Sequence, residues 1–235
     1  MLETDDMNIL GIETSGAAGS IALIRAGELF GECSLSASGR RHARTLVPEI
    51  STLLEQAGLR PTDLNVIAVS IGPGSFTGLR VGVVCAKTLA YAVGCQLVSV
   101  DTFLAVATSH PPSAAPVWVI DNALRGDVCA AEYRHDSSGW TCTIPAKLRS
   151  LEDWKLDVTD QALVTGPGVL PLQGELTGLR LGPEALQVPQ AKAIAELGAQ
   201  QARQGLLADL WTLAPFYMRR SAAEEKADAA GATDG

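Results

Sequence analysis

Two glycine-rich segments and two acids carry the patterns in this sequence that lie closest to chemistry. GlyProGlySerPheThrGly at 72–78 joins an apolar run to a helical stretch, and glycines in that setting can aim backbone N–H groups at an anion. Its spacing departs from both phosphate-binding patterns. Gly78 is followed by Leu79 and Arg80 where a P-loop needs Lys and then Ser or Thr, and Thr77 stands where a dinucleotide fingerprint needs a third glycine. A tight strand-to-helix turn capped by Ser75 or Thr77 accounts for the segment more simply. The second segment, GluThrSerGlyAlaAlaGlySer at 13–20, sets an acid at a strand end ahead of a Gly-rich turn, an arrangement with which phosphotransferases hold metal and phosphate. Glu13, Thr14 and Ser15, with Asp121 at the end of a later strand, are therefore the candidates for a magnesium–nucleotide site. ThrGlyProGly at 165–168 is the one stretch suited to an adenosine pocket. Asp121 has no Gly-rich hairpin behind it, so ATP and magnesium gain no second clamp, and no cofactor is expected.

Other reaction classes find less. A helical metal pair built on His42 needs a second His at position 46, where Leu46 stands, and His110 and His135 fall in loop-like surroundings. No serine stands in a nucleophile elbow with a matched histidine. The five cysteines, Cys33, Cys85, Cys95, Cys129 and Cys142, contain no CxxC pair and are odd in number, so neither a zinc ribbon nor a disulfide framework is indicated.

The elements that must position these residues follow from periodicity and turn chemistry. Residues 8–15, 20–25 and 29–36 read as three strands joined by hairpins. Ala43, Leu46, Val47, Ile50, Leu53, Leu54 and Ala57 recur at three and four, predicting a helix over 41–58 that Gly58 stops. A strand at 65–71, a second helix at 76–93, a strand at 97–100 and a third helix capped by Asp101 come next. The three-strand pattern then returns at 116–121, 127–134 and 140–145, with Glu13 and Asp121 in corresponding places. A short helix near 151–156, a strand at 162–165 and a helix at 191–205 complete the chain. This order predicts an α/β, duplicated actin, sugar kinase and Hsp70-like two-lobed fold with a reduced second lobe: residues 8–110 form the first lobe and 111–220 the second. The start at 1–7 and the Ala, Gly and acid tail at 221–235 are expected to be disordered.

The second helix is apolar nearly all round and so must be buried on more than one side. Gly78, Gly82, Ala86 and Ala90 are spaced by four along one face, where small side chains admit a close neighbour, either within the chain or from another subunit. At 47% hydrophobic residues the 235-residue chain can bury a sizeable core. Its net charge of −8 argues against wrapping nucleic acid unaided. The short basic run Arg40, Arg41, His42 and Arg44 reads as a solvated helix start. No basic start precedes an apolar run, and the apolar stretch 81–98 is broken by Lys87 and Gln96. A cytoplasmic protein with no membrane association is the expectation.

ValSerIleGlyProGlySerPheThrGlyLeuArgValGly at 69–82, the opening IleLeuGlyIleGluThrSer, HisAlaArgThrLeuValProGluIle in the first helix, IleAspAsnAlaLeuArgGlyAspVal and ProPheTyrMetArgArg near the end closely resemble the TsaB (YeaZ) family of tRNA threonylcarbamoyladenosine biosynthesis proteins, of the glycoprotease-like group. The match is dense over 8–134 and sparse beyond, and Glu13 stands where many members have Asp. The resemblance implies a non-catalytic scaffold that dimerises with the catalytic TsaD subunit, joins a TsaE ATPase, and meets tRNA indirectly while threonylcarbamoyl is transferred to adenosine 37. Alone, such a chain forms a homodimer. Carried over, the partner interface is the exposed part of 42–57 and 76–90, with His42, Leu46, Ile50 and Leu53 on one helix and Gly78, Gly82, Ala86 and Ala90 on the other. An ATP-dependent phosphotransferase or ATPase of the same fold, using Glu13 and Asp121, is the alternative.

Overall fold

A computed structural model describes residues 7–35 and 42–218. The acidic start, Arg40 and Arg41 of the basic run, and the tail at 221–235 lie outside the described residues. The first sheet contains β1 (Ile9–Glu13), β2 (Ser20–Arg25), β3 (Glu28–Ser34), β4 (Val66–Ser70) and β5 (Gln96–Val100), in the order β3-β2-β1-β4-β5. The second contains β6 (Val117–Leu124), β7 (Asp127–Asp136), β8 (Gly139–Ser150), β9 (Leu163–Thr165) and β10 (Arg180–Leu181), in the order β8-β7-β6-β9-β10. Numbered within each half, both orders are 3-2-1-4-5. In both, the first three strands are antiparallel neighbours and the fourth pairs parallel to the first, so the halves are copies of one plan.

Among the described residues five α-helices cover the sheets: α1 (His42–Gln56), α2 (Phe76–Val93), α3 (Thr102–Thr108), α4 (Leu151–Asp157) and α5 (Ala191–Arg203). Local chemistry sets their ends. Ser75 Oγ accepts from Gly78 N at 3.3 Å to start α2, and Gly94 at φ 75° ends it. Asp101 accepts from Phe103 N and Leu104 N at 2.7 and 3.1 Å to start α3, and Ser150 does the same for α4 through Asp153 N.

The last helix of each half packs on the other half's sheet or beyond it. On the first sheet, α1 and α2 cover one face through Leu10, Ile12, Leu46, Leu54, Ile67 and Val83, while α5 covers the opposite face through Ile194 and Leu197 against Ile9, Val66 and Val98. Both faces being covered, β1 and β4 are buried at every residue and read as continuous apolar runs. On the second sheet, α3 brings Phe103 and Val106 against Val117, Val119 and Tyr133. The other face closes around Trp118 and Trp154, whose rings meet edge-on at 6.1 Å, with Leu151, Leu172 and Leu176. Tyr133 Oη donates to Asp101 Oδ2 at 3.2 Å and ties the halves at the start of α3.

Three features differ from the sequence expectation. β8 runs on past Pro145 to Ser150, because it is an edge strand whose register slips near that proline, so no ladder bond is lost. β10 is two residues long, below what periodicity can detect. Residues 208–218 form an extended strap over α2: Ala208 N donates to Leu97 O at 2.8 Å and Phe216 N to Ile71 O at 2.7 Å.

Candidate functional site

The Gly72–Gly78 turn and the Glu13–Ser15 turn meet each other. Ser75 N donates to Ser15 O at 2.7 Å, and Thr14 Oγ1 donates to Gly78 O at 2.8 Å. A Cβ at Gly74 would stand 2.6 Å from that of Ser15; one at Gly78 would overlap the Thr14 carbonyl oxygen, and one at Gly82 the Thr14 hydroxyl. The glycines let the start of α2 lie on the end of β1. Their neighbouring amides are engaged within the chain: Gly72 N donates to Thr102 Oγ1, Ser75 N to Ser15 O and Gly78 N to Ser75 Oγ. At these positions the Gly-rich pattern serves the packing of α2 on β1.

Glu13 is fully buried, and its Oε1 accepts from Ser15 N. Its Oε2 has no hydrogen-bond partner, nor does Ser70 Oγ at the end of the adjoining strand. Burial pushes the Glu13 carboxyl above its ordinary value, and the nearby Ser15 and Ser70 hydroxyls and the Ser15 and Gly16 amides oppose this only in part. Asp121 is half-buried, accepts from Asn122 N at 2.8 Å and is also raised by burial. The 165–168 segment turns tightly onto β6: Gly168 N donates to Ile120 O, and a Cβ there would meet the Asp121 Cα at 2.8 Å. Thr165 is buried and its hydroxyl lies 2.9 Å from His110 Nε2. The backbone of the segment expected to suit an adenosine pocket thus packs against β6.

Of the three histidines, His42 and His110 lie on the helix and in the loop expected of them, and His135 lies on a strand. His110 is buried, and burial holds its pKa below the usual value. His135 lies on β7 with its ring edge-on to Trp140. His42 opens α1, with its side chain outside the described residues. Burial pushes the thiols of Cys85 and Cys95 to about 11 and Cys129 to about 12, so none is a ready nucleophile at neutral pH. Among the described residues no three His, Cys, Asp or Glu side chains are placed to share a metal ion.

A separate concave surface lies between α1 and α2. It is an open groove of ≈ 750 Å³ floored by Leu46, Ile50 and Leu54 of α1 and by Val81, Cys85 and Leu89 of α2, with Val47 and Val84 each 62% exposed on its walls. Pro61 and Arg80 stand at its rim. Large apolar side chains held out in contiguous array mark an association surface more often than scattered exposure does.

This corrects the expected small-residue seam. Gly78, Gly82, Ala86 and Ala90 are buried and turned toward the chain's own interior, where Thr14 and the first sheet occupy the space. Leu53 is buried too and reaches toward Gly31 of β3. Of the eight expected interface residues only Leu46 and Ile50 line the groove, as buried floor. Val84, on the side of α2 opposite the glycines, and Val47 on α1 were the exposed apolar residues that could signal the outward face. By length and composition α2 could cross a membrane, yet its small-residue face is packed inside the domain.

A duplicated 3-2-1-4-5 sheet pair with helices between the sheets defines a two-lobed protein of the actin, sugar kinase and Hsp70-like class, reduced in its second lobe. A family model described as TsaD, tRNA N6-adenosine threonylcarbamoyltransferase, matches residues 36–156, just over half of the chain. The TsaB proteins of Escherichia coli (strain K12) and Bacillus subtilis (strain 168) are each 28% identical over 228 residues, which is 94% of this chain and 98% and 97% of theirs. The solved structure of YeaZ from Pseudomonas aeruginosa superposes with a TM-score of 0.74 at 22% identity, covering 90% of this chain and 99% of that one. The chain belongs to this glycoprotease-like family, on its TsaB (YeaZ) branch.

Proposed function

We propose that the chain is a non-catalytic scaffold subunit in threonylcarbamoyladenosine biosynthesis, docking the catalytic TsaD-type subunit in the α1–α2 groove so that threonylcarbamoyl reaches adenosine 37 of tRNA. The groove carries this reading: two helices of one lobe leave Val47 and Val84 largely exposed over an apolar floor, the surface into which another helix pair packs. The chain supplies geometry rather than a reacting group. Its Glu13 is buried at the end of β1, and the amides of Gly72, Ser75 and Gly78 in the Gly-rich turn are bonded within the chain. With a net charge of −8, tRNA is held by the assembly and not by this subunit's own surface. A TsaE-type ATPase completes the complex, the same groove self-pairs into a homodimer when the partner is lacking, and the setting is the cytoplasm. Transfer of labelled threonylcarbamoyl to unmodified tRNA by the catalytic subunit, with and without this chain, tests the reading. Product formation should depend on the chain and be lost with Val84→Glu; equal product without the chain would end the proposal.

A further inference from the structure

Trp211 is an aromatic group that the groove does not account for. Trp118 and Trp154 are fully buried, whereas Trp211 is 76% exposed. It is nevertheless held in one place. Asp209 Oδ1 accepts from Trp211 N at 2.9 Å and Thr212 N at 2.8 Å, and Lys87 Nζ of α2 donates to Trp211 O and Leu213 O at 3.3 and 2.9 Å. Leu210 and Leu213 on either side pack into the core of the first lobe. The indole stands edge-on to Tyr91 of α2 at 5.7 Å, and Tyr91 is itself 67% exposed. Tyr91 follows Thr88 and Val84 by three and seven residues along α2, on the same side of the helix, and both of those line the groove, so the aromatic pair continues its flank.

An exposed tryptophan whose backbone is already tied down is suited to anchoring a partner, because little conformational entropy remains to be lost when it is covered. We propose that Trp211, seated on Tyr91, extends the α1–α2 groove and is covered by the same partner subunit, whose docking helix sets a long apolar or guanidinium side chain against the indole face. This rests on the groove reading. Continuity with the groove favours the one partner: a helix about 10–12 Å across, side chains included, laid between α1 and α2 also overhangs the outward flank of α2. A second protein bound separately to Trp211 would have to share that flank.

The test is calorimetric titration of the full-length chain with the TsaD-type subunit from the same source, using wild type, Trp211→Ala, Trp211→Phe and Val84→Glu, with the melting temperature of each recorded. Trp211→Ala should weaken binding at least tenfold with an unchanged melting temperature, Trp211→Phe should retain most of the affinity, and Val84→Glu should abolish binding. If Val84→Glu abolishes binding while Trp211→Ala stays within twofold of wild type, the anchor is overturned and the groove reading stands. If Val84→Glu binds as wild type does, the groove reading fails and the anchor fails with it.

Discussion

The two halves share a strand order but finish their surfaces differently. Between the fourth and fifth strands the first half places α2, an 18-residue apolar helix, beside α1. At the same topological position the second half has turns and a three-residue 3-10 helix, Gln173–Glu175, and Val169, Leu172 and Leu176 around it plug the space over Trp118 and Trp154. One sheet face is thereby closed by its own chain, while the other is closed by two helices that leave an apolar groove between them. The difference indicates that the groove is not a by-product of the fold: the same plan can be finished without it, and the proposed docking surface lies in the half that retains it.

That contrast can be broken or sharpened by substitution. Trp154→Ala should have the largest effect on stability, about 3–5 kcal/mol, because it opens a cavity in the self-contained half. The melting temperature would fall roughly 10 °C. Gly82→Leu should cost about 1–3 kcal/mol or more by driving a side chain into Thr14, which separates the inner face of α2 from its outer one. A Gly82→Leu protein as stable as wild type would show that the small-residue face is free after all.

Glu13 gives a pH dependence with a definite sign. Its folded pKa is raised above its unfolded value, so the stability it permits is fully present below about pH 4.5 and is lost as pH rises through the folded pKa. Asp101 and Asp121 are shifted the same way by burial. Chemical denaturation at pH 5 and pH 8 should show wild type losing stability between the two, and Glu13→Gln losing less. Identical slopes would place the ionisation elsewhere. Val84→Glu should have the smallest effect on stability, within about 0.5 kcal/mol, since the side chain is in solvent in the free chain.

Much of the fold could be read from the residues because local signals agreed with one another. Asp101, Ser75, Gly58 and Gly94 mark helix ends by their own chemistry, and Glu13 and Asp121, each fifth in its strand, reveal the duplication. The site was less legible. Spacing by four shows that Gly78, Gly82, Ala86 and Ala90 share a face, but not whether Thr14 or another subunit fills the space beside it. The strap was missed because its bonds go to Leu97, Ile71 and the α2 side chains, far away in sequence, and an extended segment without periodicity leaves no pattern.

The most direct test of the account is the mass, by light scattering after size exclusion, of this chain mixed with the TsaD-type subunit, wild type beside Val84→Glu. The account predicts a one-to-one complex for wild type and two separate species for the variant, with unchanged melting temperatures. A Val84→Glu chain that still elutes in a one-to-one complex would contradict the claim that the α1–α2 groove is the docking site.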